Sequence, residues 1–485
     1  MIRIQQVTKA YDEKPLLVSL NLDIKDGARL GIIGENGCGK TTLMNILASQ
    51  IECDSGSVYM PNNTVIAYME QVQFTKEDET LSGGERTKKA LKTIFSSYSN
   101  VLILDEPTNH LDYKGILWLK TLIDRYSGTV IMVSHDRYFM DLICHEIYEI
   151  QHTKGTLYSG NYSDYKAEKE HRYLTQKNAY DKDRKAQSMI QADIAQLSTW
   201  SQKAHRESTI KGQKTGNKMG AKEYFRAKAK KKDKAVKSKL KRLEKLVDEG
   251  LKKPEEDEQV KFQFYKGDNN TKQLIYCEDV EISFDQNLLF ETNRFSIMRG
   301  ERLAFIGQNG SGKTTFIRML RKEILAYKGW LSMNPSVRVG YLSQDVMDLD
   351  PRKSIIDSLG YVEKDRLTLA RIQLNNLGID KDMIHRKIST LSMGERTRVK
   401  LASILLEPFD ILILDEPTNH LDIISKEVLE KALLTFAGTI LIVSHDLYLL
   451  NALCTTMLLI EDKKLMKVDI PPKEWLAASL GGGQS

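Results

Sequence analysis

GENGCGKTT at residues 34–42 returns as GQNGSGKTT at 307–315, and this repetition decides how the rest of the chain reads. The first copy fits GxxxxGK[ST], a glycine loop that runs from a strand into a helix and turns its backbone N–H groups toward a phosphate. Working outward, LSGGERT (81–87) returns as LSMGERT (391–397), VLILDEPTNHLD (101–112) as ILILDEPTNHLD (411–422), and MVSHD (132–136) as IVSHD (442–446). Four blocks in the same order mean two copies of one domain. The offset between copies is 273 residues at the first block and 310 at the others, so one copy is about 37 residues shorter between its first two blocks. Before each polar block stands a continuous apolar run (VLIL, TVIMV, ILIL, TILIV), the pattern of parallel strands buried on both faces. The expected fold is therefore α/β: two P-loop domains, with ligand groups at the carboxyl ends of the strands.

The chemistry follows from charge. In the first loop Gly34, Asn36, Gly37, Gly39 and Thr42 shape the cradle, Lys40 neutralises the β and γ oxygens, and Thr41 offers a hydroxyl to Mg²⁺. Asp105, at the end of an apolar strand, supplies a carboxylate for the same ion, and the adjacent Glu106 is placed to activate water. Gly307, Asn309, Gly310, Gly312, Lys313, Thr314, Thr315, Asp415 and Glu416 repeat the arrangement in the second copy. His135 and His445, each in a Ser-His-Asp context, are expected to sense the γ-phosphate. Cys38 stands where the second copy has Ser311, and Met393 where the first has Gly83. These departures predict two sites with unequal ATPase contributions.

With 485 residues, 41% hydrophobic and 28% charged, the chain has the composition of a globular protein of more than one domain, and no apolar run of about 18 residues suggests a membrane span. The N-terminus has no secretory signal pattern, so a cytoplasmic location is expected. Five scattered cysteines predict free thiols rather than disulfides or zinc. The net charge is only +6, yet residues 201–250 hold 17 Lys/Arg against 6 Asp/Glu. Residues 166–265 read as two helices and a turn marked by Gly212, Gly216 and Gly220. Ile190, Ile194 and Leu197 on one helix and Val236, Leu240, Leu243 and Val247 on the other predict antiparallel pairing. About 35–40 residues per helix would make an arm about 50–60 Å long. Around its turn Trp200, Lys203, His205, Arg206, Lys211, Lys214, Lys218, Lys222, Tyr224, Phe225 and Arg226 mix basic and aromatic groups, as contact with RNA phosphates and bases requires. The expected domains are 1–165 and 266–475, with 166–265 between them and 476–485 as a flexible tail.

Taken together, the paired blocks resemble ATP-binding cassette domains. In that family the signature Ser and Gly of one cassette close over the γ-phosphate held by the other. The resemblance implies one site of Lys40, Thr41, Gln71, Asp105, Glu106 and His135 with Ser392, Gly394 and Glu395. It implies a second of Lys313, Thr314, Gln344, Asp415, Glu416 and His445 with Ser82, Gly83, Gly84 and Glu85. Gln71 and Gln344 join the Mg²⁺ ligands, and Tyr11 and Phe284 fall where the family stacks a ring on adenine; ordinary strand-end aromatics is the competing reading. DEPTNHLD in both copies, glutamate at Glu85 and Glu395, and the basic hairpin between cassettes resemble the ABC-F family.

That resemblance implies a monomer with two intramolecular ATP sites and no membrane partner. It also implies binding at the exit site of the bacterial ribosome, with the arm directed to large-subunit rRNA near the peptidyl-transferase centre and to P-site tRNA. Only 11 positions separate Gln71 from Ser82, against 48 from Gln344 to Ser392. This shortened first cassette, together with WSQKAHRES and GAKEYFRAKAKKKD in the connector, resembles the branch that protects ribosomes from lincosamides, pleuromutilins and streptogramin A. A housekeeping translation factor of the same family stands beside that reading. An ATPase subunit of a transporter or a DNA-repair ATPase is the rival from another class.

Overall fold

In the computed structural model, residues 1–12, 14–70, 83–109, 111–214, 220–248, 272–284, 287–325, 328–343, 349–361, 363–419 and 421–481 are described. The first cassette runs β1 (Ile2–Tyr11), β2 (Lys14–Ile24), β3 (Arg29–Gly34), α1 (Lys40–Leu47), β4 (Ser55–Tyr59), β5 (Ile66–Met69), α2 (Gly83–Phe95), β6 (Val101–Asp105), α3 (Tyr113–Arg125), β7 (Thr129–Val133), α4 (Arg137–Ile143), β8 (Glu146–Gln151) and β9 (Lys154–Ser159). Two long helices follow, α5 (Tyr162–Lys214) and α6 (Gly220–Asp248). The second cassette opens with β10 (Gln273–Phe284), β11 (Asn287–Thr292), β12 (Phe295–Met298), β13 (Arg302–Gly307), α7 (Lys313–Leu320), β14 (Lys328–Met333) and β15 (Val339–Leu342). It continues through α8 (Ile355–Ser358), α9 (Lys364–Asn376), α10 (Met393–Leu405), β16 (Ile411–Asp415), α11 (Ile423–Thr435), β17 (Thr439–Val443), α12 (Leu447–Leu453), β18 (Thr456–Glu461), β19 (Lys464–Val468) and α13 (Pro472–Gly481).

Each cassette is built on a largely parallel sheet, ordered β5-β6-β7-β3-β8-β9 in the first and β15-β16-β17-β13-β18-β19 in the second. The apolar runs are its central strands: every residue of β6, β7, β16 and β17 is buried. Because β3 lies between β7 and β8 in parallel register, the glycine loop leaves the sheet at the same end as Asp105 and Ser134. An antiparallel layer covers the helix after the loop. In the first cassette this layer is the sheet β2-β1-β4, where Ile2, Ile4 and Val7 are buried, and a register shift between Ile4 and Val7 is absorbed by Gln6 at φ 50°.

The length difference between the copies has a structural form. The second cassette carries α8 and α9, whose Ile355, Ala370 and Leu374 join its core. In the first cassette only residues 70–82 separate β5 from α2, and 71–82 fall outside the described residues.

The two cassettes pack as one unit, Met1–Tyr165 with Val260–Ser485, and Lys166–Gln259 is a second. Within the cassette unit, α3 and α4 meet α11 and α12 reciprocally. Ile423, just after Asp422, is buried in the first cassette's core with Tyr448 against it, while Tyr113, just after Asp112, and Tyr138 pack on the second cassette's core. Burying one such large side chain stabilises by about 1.5–3 kcal/mol.

The hairpin differs from its sequence reading in three ways. Helix α5 spans 53 residues and α6 spans 29, so the first is about 80 Å long. Gly212 is absorbed into α5 and Gly220 opens α6, while residues 215–219, Gly216 among them, fall outside the described residues. The paired face of α6 is Val236, Lys239, Leu243 and Leu246, all half-buried, whereas Leu240 is 40% exposed. Heptad spacing selects this face, and Lys239 enters it because it pairs with Asp193 of α5. Gln187 donates to the Leu246 carbonyl at 3.3 Å, which with the Lys239 pair makes the helices antiparallel. At the other end of the chain the expected tail from 476 is helix as far as Gly481, because Trp475 and Leu476 of α13 pack on the second cassette. Residues 482–485 are outside the described residues.

Candidate active site

In the first cassette Lys40 lies across the mouth of its loop, donating to the carbonyls of Gly34 and Glu35 at 2.9 Å each. Lys313 does the same to Gly307 and Gln308 at 2.8 and 3.0 Å. Gly39 and Gly312 precede the helices with φ of 102° and 105°, where a side chain would be strained, and an added Cβ would strike Leu17 or Leu289. Thr41 donates to Asp105 at 3.1 Å, and Thr314 to Asp415 at 3.4 Å. A hydroxyl and a buried carboxylate together are the hard-oxygen donors that Mg²⁺ prefers. Burial, helped by Glu416, pushes the Asp415 carboxyl up to about 6, and burial also raises Asp105, so each carboxylate gains from a nearby cation.

Both glutamates sit in the left-handed region, Glu106 at φ 51° and Glu416 at φ 50°. Their N–H groups bond the carbonyls of Val133 and Val443 at 2.9 Å, which turns the chain sharply off the strand. Strain of this kind is held only where surrounding structure fixes it, and it concentrates at functional positions. The turn aims each carboxylate at the following histidine. His135 N–H donates to Glu106 Oε2 at 3.2 Å and its Nε2 lies 3.5 Å from Oε1; for His445 and Glu416 the distances are 3.3 and 3.4 Å. Glu106 Oε1 and His135 Nδ1 are buried and have no hydrogen-bond partner among the described residues. Burial raises the Glu106 carboxyl to about 7 against the opposing His135 N–H, and burial with the nearby Lys40 and Lys426 lowers His135 to about 3. His135 is therefore neutral at physiological pH.

A single cavity of about 1060 Å³ holds both sets: Lys40, Thr41, Asp105, Glu106 and His135 on one side, Lys313, Thr314, Asp415, Glu416 and His445 on the other. The polar loops cross between cassettes. Asp422 accepts from the Asn36 N–H at 3.3 Å, and Asp112 is among the carboxylates that sustain the charge of the half-buried Lys313.

Gly83 and Gly84 line the shared cavity; Ser392, Gly394 and Glu395 do not. The structure does not bring these three together with Lys40, and the reason is local. Ser392 caps α10 and accepts from the Glu395 N–H, while Glu395 Oε2 takes the Ser392 N–H at 2.7 Å and its hydroxyl at 2.9 Å. The S-x-x-E spacing is a capping box, a meaning of the LS[GM]GE block that sequence reasoning missed. Glu85 occupies the matching place in the first turn of α2. Tyr11 is 47% exposed, beside Lys9, and does not line the cavity, where Leu16 and Leu289 are found instead. Phe284 ends β10, but its side chain is outside the described residues, as are Gln71, Ser82 and Gln344 entirely.

In the linker, Trp200, Lys203 and Arg206 are exposed on α5. The side chains of His205, Lys211, Lys214, Lys222, Tyr224, Phe225 and Arg226, and all of Lys218, fall outside the described residues. Sequence reasoning also missed Thr108 and Ser134, bonded at 3.1 Å, their copies Thr418 and Ser444 at 3.1 Å, and Lys426, which lines the cavity. A block alignment at the 310 offset exposes the first two pairs; Lys426 is hidden because its copy is Ile116.

A family model described as ABC transporter matches residues 17–77 and 290–419, and a second so described matches residues 148–264. The ribosome protection protein VmlR of Bacillus subtilis is 35% identical over 97% of this chain and 89% of its own length. The chain belongs to the ABC-F family. As a member it is an ATPase with two ATP-binding cassettes. ABC transporter F family member 5 of Arabidopsis thaliana is 27% identical, over 95% of this chain and 75% of that relative. The archaeal ribosome recycling factor aABCE1, solved with stalk protein aP1, shares the fold at 18% identity with a TM-score of 0.66, covering 98% of this chain and 92% of that one. Among the described residues no helix is long and apolar enough to cross a membrane.

Proposed function

We propose that this chain is a ribosome-protection ATPase that works in the cytoplasm. ATP held between its cassettes lets it bind the bacterial ribosome at the exit site. Its linker reaches rRNA near the peptidyl-transferase centre and P-site tRNA, so that a bound lincosamide, pleuromutilin or streptogramin A leaves. The observation that supports this most is the shared cavity, which is lined by residues of both cassettes, so that nucleotide bound there would favour the docked state over the separated one. The ribosome enters through VmlR, whose alignment with this chain covers 97% of it and so spans the linker as well as the cassettes.

Within each site Lys40 or Lys313 binds the β and γ oxygens. Glu106 or Glu416 takes a proton from the attacking water, and the histidine behind it holds the carboxylate and faces the γ-phosphate. Thr41 with Asp105, and Thr314 with Asp415, would hold Mg²⁺, which when bound offsets the charge that develops on the phosphates. Hydrolysis then removes the preference for the docked state and releases the factor. The rival within the family, a housekeeping factor, is favoured by the breadth of relatives such as the Arabidopsis protein. Expression in a susceptible strain separates the two. Raised inhibitory concentrations for these drugs, abolished by Glu106→Gln with Glu416→Gln, are expected; unchanged concentrations contradict the protective role.

A further inference from the structure

Lys426, on α11 of the second cassette, is 8% exposed and crosses to the first cassette, where its ammonium donates to the His135 carbonyl at 3.0 Å. Its counter-ion is Asp446, 3.6 Å away, and Asp446 is held in turn by Arg137, 3.5 Å distant. Arg137 is fully buried, bonds Glu430 at 2.9 Å and lies under the Tyr448 ring at 5.0 Å. The cluster therefore takes one cation from each cassette. At the 310 offset the copy of Lys426 is Ile116 and the copy of Arg137 is Leu447, so the equivalent place beside Glu416 and His445 has no cation from this pair. The charge of Lys426 acts on both Glu106 and His135, and both Lys426 and Ile116 line the cavity.

We propose that Lys426 is a positioning residue for hydrolysis at the first nucleotide site, supplied in trans: by holding the His135 carbonyl it fixes the Ser134–Asp136 turn, and with it the histidine behind Glu106, only when the cassettes are docked. Hydrolysis in the first cassette then depends on a contact from the second, while the second cassette has Ile116 at that place and hydrolyses without it. This rests on the reading of Glu106 and Glu416 as the two water-activating carboxylates.

The test compares two single-site backgrounds of the full chain, Glu416→Gln for the first site and Glu106→Gln for the second. Lys426→Met is expected to lower kcat about tenfold in the first background with KM changed less than about twofold, and to lower it less than about twofold in the second. Lys426→Arg, which keeps a cation and its donors, is expected to recover most of the loss. Equal losses in both backgrounds would reduce Lys426 to a docking contact and overturn the proposal, as would no loss at the first site. Lys426→Gln replaces the Met variant if that variant melts early, with the same expectation. Should neither glutamine background lower turnover by itself, the carboxylate assignment fails, a result distinct from any obtained at Lys426.

Discussion

At the residue scale the two sites are built alike to within a few tenths of an ångström but are not charged alike. The motif pointed to Glu106 and Glu416 directly, because an acidic residue after the Mg²⁺ aspartate is written in the sequence. Their left-handed φ was not legible, since DEP has the same letters whatever its backbone does. Burial gives Glu106 a definite pH signature. Its carboxyl is raised to about 7, so it is mostly protonated at pH 6 and ionised at pH 8, and only the ionised form accepts a proton from water. First-site kcat, measured in the Glu416→Gln background, should rise about tenfold between pH 6 and 8. A rate flat across that range contradicts the role given to Glu106. The same shift works against stability: a raised carboxyl favours the fold below its unfolded value near 4.5, and this contribution is lost as pH climbs to about 7.

At the element scale, strands were the most readable part of the chain, because buried parallel strands leave unbroken apolar runs whose ends carry the polar blocks. Helices were less so. LSMGE reads as a nucleotide signature and is also a capping box that starts α10, and one sequence pattern cannot say which duty its glutamate performs in a given state. In the linker, reading a step of four from Val236 where the heptad takes three placed Leu240 on the paired face, one residue past Lys239, whose aliphatic stem and Asp193 partner belong there. The corrected face makes a clear prediction. Leu243→Asp should accelerate amide hydrogen exchange across α6 about tenfold, equivalent to about 1.4 kcal/mol, whereas Leu240→Asp should change it little. Equal effects would show that α6 does not pair through Val236, Lys239, Leu243 and Leu246.

At the scale of the whole molecule, two copies of one fold meet through reciprocal insertions, Ile423 into one core and Tyr113 against the other, so each polar loop reaches the opposite site. Repetition in the sequence announced twin cassettes; it could not announce the pairing of Arg137 with Glu430 and Asp446, since such contacts join residues about 300 positions apart that no local pattern links. The asymmetry of that cluster makes the twin sites unequal partners in one closure, and the helix that leaves the first cassette at Tyr162 is the covalent route by which closure would reach the linker. The central claim, that ATP clamped between the cassettes commits the protein to its target and hydrolysis frees it, is tested most directly by pelleting ribosomes with the Glu106→Gln, Glu416→Gln chain in the presence of ATP. Stable co-sedimentation, with nucleotide retained as ATP, is the result expected. Rapid dissociation of that chain while ATP is present would contradict it.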